Sequence, residues 1–233
     1  MERPSVVADA VLVLLVSVMR TIVHDVVVRM YPSMRMVIRM TETAPAAVRG
    51  RRLDPDRKQR IIDACLKVVA ERGVAGTSHR VVAAAAGVPL GSMTYHFAGM
   101  EDLLHQAFDQ FARRSAARFA ARMRATGSPR DACEAIAAYI EEDPLFAGGD
   151  LNINLELYTI AARDPAYRDI TDHWMASSRA EIGRFFDPAT ASALDAMIEG
   201  LTLHRALGTG WQDPAALREA IRRVAFGETS GAR

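Results

Sequence analysis

Residues 77–97 read TSHRVVAAAAGVPLGSMTYHF, and this stretch decides the fold. Thr77 and Ser78 are both competent helix N-caps, because a side-chain hydroxyl accepts one of the unpaired N–H groups of the first turn. An Ala-rich run follows over 81–86 and stops at Gly87, the residue that enters the left-handed region without steric cost. Pro89 then opens a third short helix running to Phe97, since its missing N–H is no loss at a first helical position. Two short helices joined by a glycine turn make a helix-turn-helix corner. Ala83 and Ala84 allow close helix contact, while Val88 and Met93 are placed to plug the angle. Many helical proteins contain such a corner, so its neighbours decide what it means.

Upstream, Asp54 caps a helix with Pro55 at its first position. Ile61, Ile62, Cys65, Leu66 and Val69 form one apolar stripe, while Lys58, Asp63, Lys67 and Glu71 point elsewhere. Gly73 closes that helix, and Cys65 on the stripe reads as a core thiol. Downstream, a long amphipathic helix covers 100–125 with Leu103, Leu104, Ala107, Phe108, Phe111, Phe119 and Met123 inward. Further helices are expected over 128–142, 151–162, 164–186, 189–207 and 214–226. Asp-Pro or Ser-Pro starts at 128, 164 and 187 support them, and Asp143-Pro144 with Gly148-Gly149 marks a loop. Nothing from Asp54 onward alternates as a strand does. The reading is all-α: a three-helix N-terminal domain over 51–100, then about five to six helices over 101–233.

The chain has 233 residues, 29 Lys+Arg, 28 Asp+Glu and two cysteines. Two cysteines exclude a disulfide scaffold and any CxxC site. The net charge of +1 averages three unlike pieces: +2 over 1–40, +4 over 41–100 and −5 over 101–233. A basic segment before an acidic one points to nucleic-acid contact by the basic part. Val occurs eleven times in residues 1–39 and eight times afterwards. That break leads us to expect a biological start at Met40, or at Met30, Met34 or Met36, with 1–39 an atypical extension read from upstream sequence. Its apolar run, 10–19, is about half the length of a bilayer span, so no membrane partner is expected. An interfacial membrane segment is the alternative. Residues 41–50 read as a flexible lead-in.

Taken together, Arg57–Gly73, Thr77-Ser78, Ala85-Ala86-Gly87-Val88, Gly91-Ser92-Met93-Thr94-Tyr95-His96-Phe97 and Glu101-Asp102-Leu103-Leu104 resemble the tetracycline-repressor (TetR) family of bacterial transcription regulators. The resemblance is dense over 57–104; beyond it the helices agree in number and order. It departs at Pro89, Thr94, Met100 and His79, where the family usually has a cap, a Tyr, a Lys and an apolar residue. The resemblance implies a cytoplasmic, homodimeric, ligand-responsive regulator that reads a near-palindromic double-stranded DNA operator. Leu90, Ser92, Thr94 and Tyr95 are the groove-facing group; Thr and Leu methyls suit a thymine methyl, and hydroxyls suit several base edges. His96 is the phosphate-contacting histidine of the family, and Thr77 and Ser78 are phosphate donors at a helix N-terminus. Arg51 and Arg52 form a basic arm whose effect is salt-dependent affinity.

Over 189–207, Ala193, Ala196 and Gly200 recur at helical spacing beside Leu194, Met197, Ile198 and Leu201. A helix apolar on more than one side needs more than one partner. Ala193, Ala196, Met197 and Gly200 are therefore expected in a dimer interface, with 214–226 alongside. Apolar and polar-tipped candidates for an effector pocket in the acidic body are Phe108, Phe111, Tyr139, Tyr158, His173, Trp174 and His204. An enzyme is not expected: the six histidines have no metal spacing, and neither GxSxG nor a phosphate-cradling glycine loop occurs. No cofactor and no metal is expected. The alternatives are a helical small-molecule-binding protein without DNA activity, or a membrane-tethered regulator if residues 1–39 are genuine.

Overall fold

Asp164, Asp187 and Asp213 each accept a hydrogen bond from the backbone N–H two residues on, at 2.9, 2.9 and 2.8 Å. A proline follows each of them as the first helical residue, so three of the helices start where local chemistry starts them. Ser128 caps a fourth: its Oγ accepts from Asp131 N at 3.2 Å and donates back to Asp131 Oδ2 at 2.7 Å. The computed structural model describes residues 54, 56–142, 149–209 and 213–227. Among them are nine helices and no strand: α1 Arg57–Arg72, α2 His79–Ala86, α3 Gly91–His96, α4 Met100–Arg124, α5 Pro129–Glu142, α6 Asp150–Ala161, α7 Pro165–Ile182, α8 Pro188–Ala206 and α9 Pro214–Phe226. Residues 1–53, with Arg51 and Arg52, lie outside the described residues.

Three helix limits differ from expectation. The first helix begins at Arg57, with Asp56 rather than Asp54 at the cap position and no side-chain cap bond there. Helix α3 begins at Gly91, because Ser92 N and Met93 N bond back three residues to Pro89 O and Leu90 O in a tighter turn. Helix α7 ends at Ile182; Phe185 N and Phe186 N both bond back to Ile182 O instead of extending the helix, which folds the two rings onto the core. Ala84 is exposed; Val82 and Ala83 make the close contact of α2 instead.

Two apolar cores hold the helices. The first gathers the α1 stripe (Ile61, Ile62, Cys65, Leu66, Val69), Val82, Ala83, Met93 and Phe97 with Leu103–Ala112 of α4, Ile153 and Leu157 of α6, and Tyr167 and Ile170 of α7. The second joins Phe119 and Met123 of α4 to α5, Ile182, Leu194 and Ile198 of α8, and Leu217 and Ile221 of α9. Helix α4 therefore threads both, over about 37 Å at 1.5 Å per residue. The first core runs across residue 100, so the reading head and the body share it. Phe108 is fully buried at its centre, and truncating it to Ala costs about 3–5 kcal/mol.

Polar contacts reinforce that junction. Asn152 Nδ2 of α6 donates to Ala70 O of α1 at 2.9 Å, and Arg114 Nη2 of α4 meets Asp63 Oδ1 of α1 at 2.8 Å. Gly149, φ +90°, lets α6 start against α1: a Cβ there would stand 2.8 Å from the Cβ of Ala70.

Candidate nucleic-acid interface and ligand cleft

The helix-turn-helix corner forms as its sequence dictates. Ser78 Oγ accepts from Val81 N at 3.4 Å to cap α2, and Gly87 turns the chain in the αL region at φ 64°. Met93 and Phe97 are buried and pin α3 to the core. The opposite side of α3 is bare: Leu90 is 54% exposed and Tyr95 72% exposed, with Thr94 beside them. The His96 ring meets Tyr95 edge-on at 4.8 Å and is half-buried. Asp102 accepts from Ala98 N at 2.9 Å, tying the α3–α4 link down. The hydrogen bond from Gln106, then that from Ala98, holds its carboxyl below the usual range.

Two expected contacts need correction. Ser92 is buried against the core on the same side as Met93, because it stands next to Met93 in the helix and shares its inward arc. Thr77 is buried too, and its hydroxyl donates to Gly73 O at 2.8 Å, which closes the end of α1. The Thr77 hydroxyl is thereby turned to α1, and Ser92 keeps little surface. Ser78 remains exposed beside its cap bond. Two further cations flank the corner, outside the contact set read from the sequence. Arg80 is exposed on the first turn of α2, and Lys58 sits over the Phe97 ring at 5.6 Å. The run of motif residues drew attention to α3, whereas the phosphate-facing charge of a corner also comes from its flanking helices.

The body holds a cleft among α4, α5, α6, α7 and α8. Phe119, Tyr139, Trp174, Met175 and Ile198 form its apolar walls, and Asn154, Asp195, Glu199 and Thr202 add polar groups. Its volume is about 600 Å³ counted out to the mouth, but its inner part has room for only a few water-sized molecules. Asp195 Oδ2 meets Arg179 Nη1 at 3.5 Å. Burial raises the Asp195 carboxyl to about 6; Arg179 opposes this and Glu199 adds to it. Tyr158 Oη donates to Glu199 Oε1, and burial, then the Glu199 charge, pushes the phenol well above its usual range.

Of the seven expected pocket residues, Tyr139 and Trp174 line this cleft. Tyr158 stands behind Glu199. Phe108 and Phe111 belong to the first core, where Phe111 props Trp174 edge-on at 5.7 Å. His173 faces a separate surface cleft with His105 and Asp109, and its Nδ1 bonds to Asp169 O at 2.6 Å. His204 is exposed. Periodicity found the inward aromatics but could not say which of two cores each one joins. The carboxylates Asp195 and Glu199 were missed because an acid on a helix reads as a solvated face.

On α8, Ala193 and Ala196 are exposed and Met197 and Gly200 are half-buried. A Cβ on Gly200 would meet nothing within 4 Å, and Leu207 beyond the helix end is 59% exposed. Leu194 and Ile198 point into the second core from the other side of the same helix. Among the described residues no group of three or more His, Cys, Asp or Glu could hold a metal ion, and no described helix is long and apolar enough to cross a membrane.

Comparison with known proteins agrees with this arrangement. The sequence description of bacterial regulatory proteins of the tetR family matches residues 61–107, and that of the tetracyclin repressor-like C-terminal domain matches residues 127–226. The chain belongs to the TetR family, and it is a transcriptional regulator. SCO7518 of Streptomyces coelicolor A3(2) is 47% identical, covering 74% of this chain and 99% of that one, with a TM-score of 0.68. The multidrug binding protein EbrR, in complex with imidazole, is 38% identical over 77% of this chain and 94% of its own, with a TM-score of 0.61. EbrR is also known in complex with proflavin, ethidium and malachite green. The transcriptional regulator BetI of Burkholderia thailandensis is 28% identical over 174 residues, 70% of this chain and 89% of BetI.

Proposed function

We propose that this regulator is a cytoplasmic homodimeric repressor that reads a near-palindromic operator and releases it when a small organic molecule enters the body. The exposed Leu90, Thr94 and Tyr95 on a helix anchored from behind by Met93 and Phe97 carry the reading. Such a helix offers a stiff, short reading edge to the major groove. Leu90 and Thr94 supply methyl contacts, and Tyr95 and His96 supply polar ones. Ser78, Arg80 and Lys58 hold phosphates, as the basic arm of Arg51 and Arg52 would. One such edge covers few base pairs. A two-fold pair covers a palindrome, and the open small-residue face of α8 offers the self-complementary surface that a two-fold needs.

The effector reading rests on the cleft and on α6. Leu151 and Asn154 line the cleft, while Asn152 of the same helix holds Ala70 of the reading head. A ligand that widens the tight inner cleft displaces α6 and with it the head, which shifts the population away from the spacing that fits two half-sites. EbrR, similar in sequence and fold, takes small organic molecules, and this supports an effector of that kind here. Selection of sites from a random DNA pool by the full chain tests the DNA half. A near-palindrome is expected to enrich; an unenriched pool, or a single asymmetric half-site, overturns it.

A further inference from the structure

Within the effector cleft, whose role rests on the reading above, two buried polar atoms lack partners and two carboxylates stand beside them. Asn154 is 7% exposed and Thr202 5% exposed, both line the cleft, and Asn154 Oδ1 and Thr202 Oγ1 have no hydrogen-bond partner among the described residues. A buried acceptor without a donor is costly, and native proteins rarely keep one unless something else fills the role. Beside them stand two carboxylates, Asp195 and Glu199. Asp195 has its cation in Arg179. Glu199 is met by a neutral donor, the Tyr158 hydroxyl, so its charge faces the cleft uncompensated by any cation lining it.

We infer that the effector is a small cation with an aromatic body and at least one N–H donor, such as a protonated amine or a charged heteroaromatic. Glu199 is its counter-ion, Asn154 Oδ1 and Thr202 Oγ1 accept its N–H groups, and Trp174 and Tyr139 cover its apolar part. An anion would stand beside two carboxylates of which Arg179 meets only one. A neutral hydrocarbon would fill the aromatic walls while leaving both acceptors unpaired and stripping water from Glu199. A cation satisfies all three, and a ring system beside Trp174 adds cation–π attraction. The site also reaches α6. Tyr158 and Asn154 both belong to it, so a cation that draws Glu199 inward acts on the helix that grips Ala70.

Three probes with one aromatic body separate the possibilities: 1-naphthylmethylammonium, 1-naphthylmethanol and 1-naphthoate, titrated against the full-length chain at neutral pH by quenching of tryptophan fluorescence. Charge-assisted hydrogen bonding to a half-buried carboxylate predicts the ammonium binding at least about ten-fold tighter than the alcohol, with the carboxylate weakest. Glu199→Gln, which keeps the shape and an acceptor for Tyr158, is expected to bring ammonium and alcohol within about three-fold of each other. The wild-type series stands by itself if that variant does not fold. Alcohol or naphthoate binding as tightly as the ammonium overturns the cation class and leaves the cleft a ligand site. An undiminished ammonium preference in Glu199→Gln overturns the role of Glu199. No binding by any of the three overturns both the inference and the effector reading, while the operator selection still judges the DNA half separately.

Discussion

At the scale of single residues, Tyr95 and Asp195 are placed against ordinary preference. Tyr95 exposes most of its ring at the tip of α3 and contributes nothing to the core, so Tyr95→Ala is expected to leave thermal unfolding within about 0.5 kcal/mol. Operator binding should weaken by about 1–3 kcal/mol, the worth of one side chain at a base edge. Mobility shifts and unfolding curves on the same preparation separate these outcomes. Asp195 is acidic and has its carboxyl raised to about 6 by burial, with Arg179 from α7, Glu199 on its own helix and Tyr158 from α6 as charged and titratable neighbours. Between the ordinary carboxylate range and about 6, the folded protein holds a proton that the unfolded chain has released. The Asp195 contribution is therefore present at low pH and lost as pH rises through that window. Asp195→Asn is expected to remove this fall, so the stability difference between variant and wild type should grow in favour of the variant from pH 4 to pH 6. Equal slopes in urea melts across that range would refute it.

Among the elements, α6 links the two working parts. It shares the first core through Ile153 and Leu157, touches the cleft through Asn154, and holds α1 through Asn152. Its start depends on Gly149, which is both left-handed in φ and in close approach to Ala70. Gly149→Ala adds a Cβ in a strained backbone region against that side chain and is expected to cost about 1–3 kcal/mol. The loss should show in thermal unfolding and in faster hydrogen exchange of the first turn of α6; an unchanged melting curve would refute the strain. Helix α7, a wall of the cleft, begins on the Asp164 cap. Asp164→Ala is expected to cost about 1 kcal/mol, readable by the same melt.

At the scale of the molecule, residues 56–227 join a basic reading head to an acidic body through a shared core, and the proposed two-fold assembly places the open face of α8 between two copies. Ala196→Glu places a charge on that face in both copies of a two-fold pair. The variant is expected to sediment as a monomer while its helical content stays the same. Its operator affinity should fall by at least about 10²-fold, because half of the phosphate and base contacts leave together. A dimer that persists with Ala196→Glu would move the interface elsewhere on the molecule.

Sequence alone determined the helices, the corner and the family. Those depend on interactions between near neighbours: Asp-Pro and Ser-Pro starts, glycine stops, and apolar stripes at 3.6-residue spacing, which hold for α4 from Leu103 to Met123. The same rules marked Met93 as core, and the resemblance put Leu90, Thr94 and Tyr95 on the open side, where they stand exposed. These readings misjudged Ser92, Thr77 and Ala84 because the arc of a short helix that faces the core depends on how its neighbours cross it. Only the tertiary structure decided that Phe108 and Phe111 serve one core while Tyr139 serves the other. It alone brought Asn154, Glu199 and Thr202 to a single cleft, although forty-five residues separate the first two in the chain. The crossing of α6, α7 and α8 sets two acids that read as surface, Asp195 and Glu199, into the lining of a cleft, because the direction a helical side chain faces is fixed by the neighbours that pack on it.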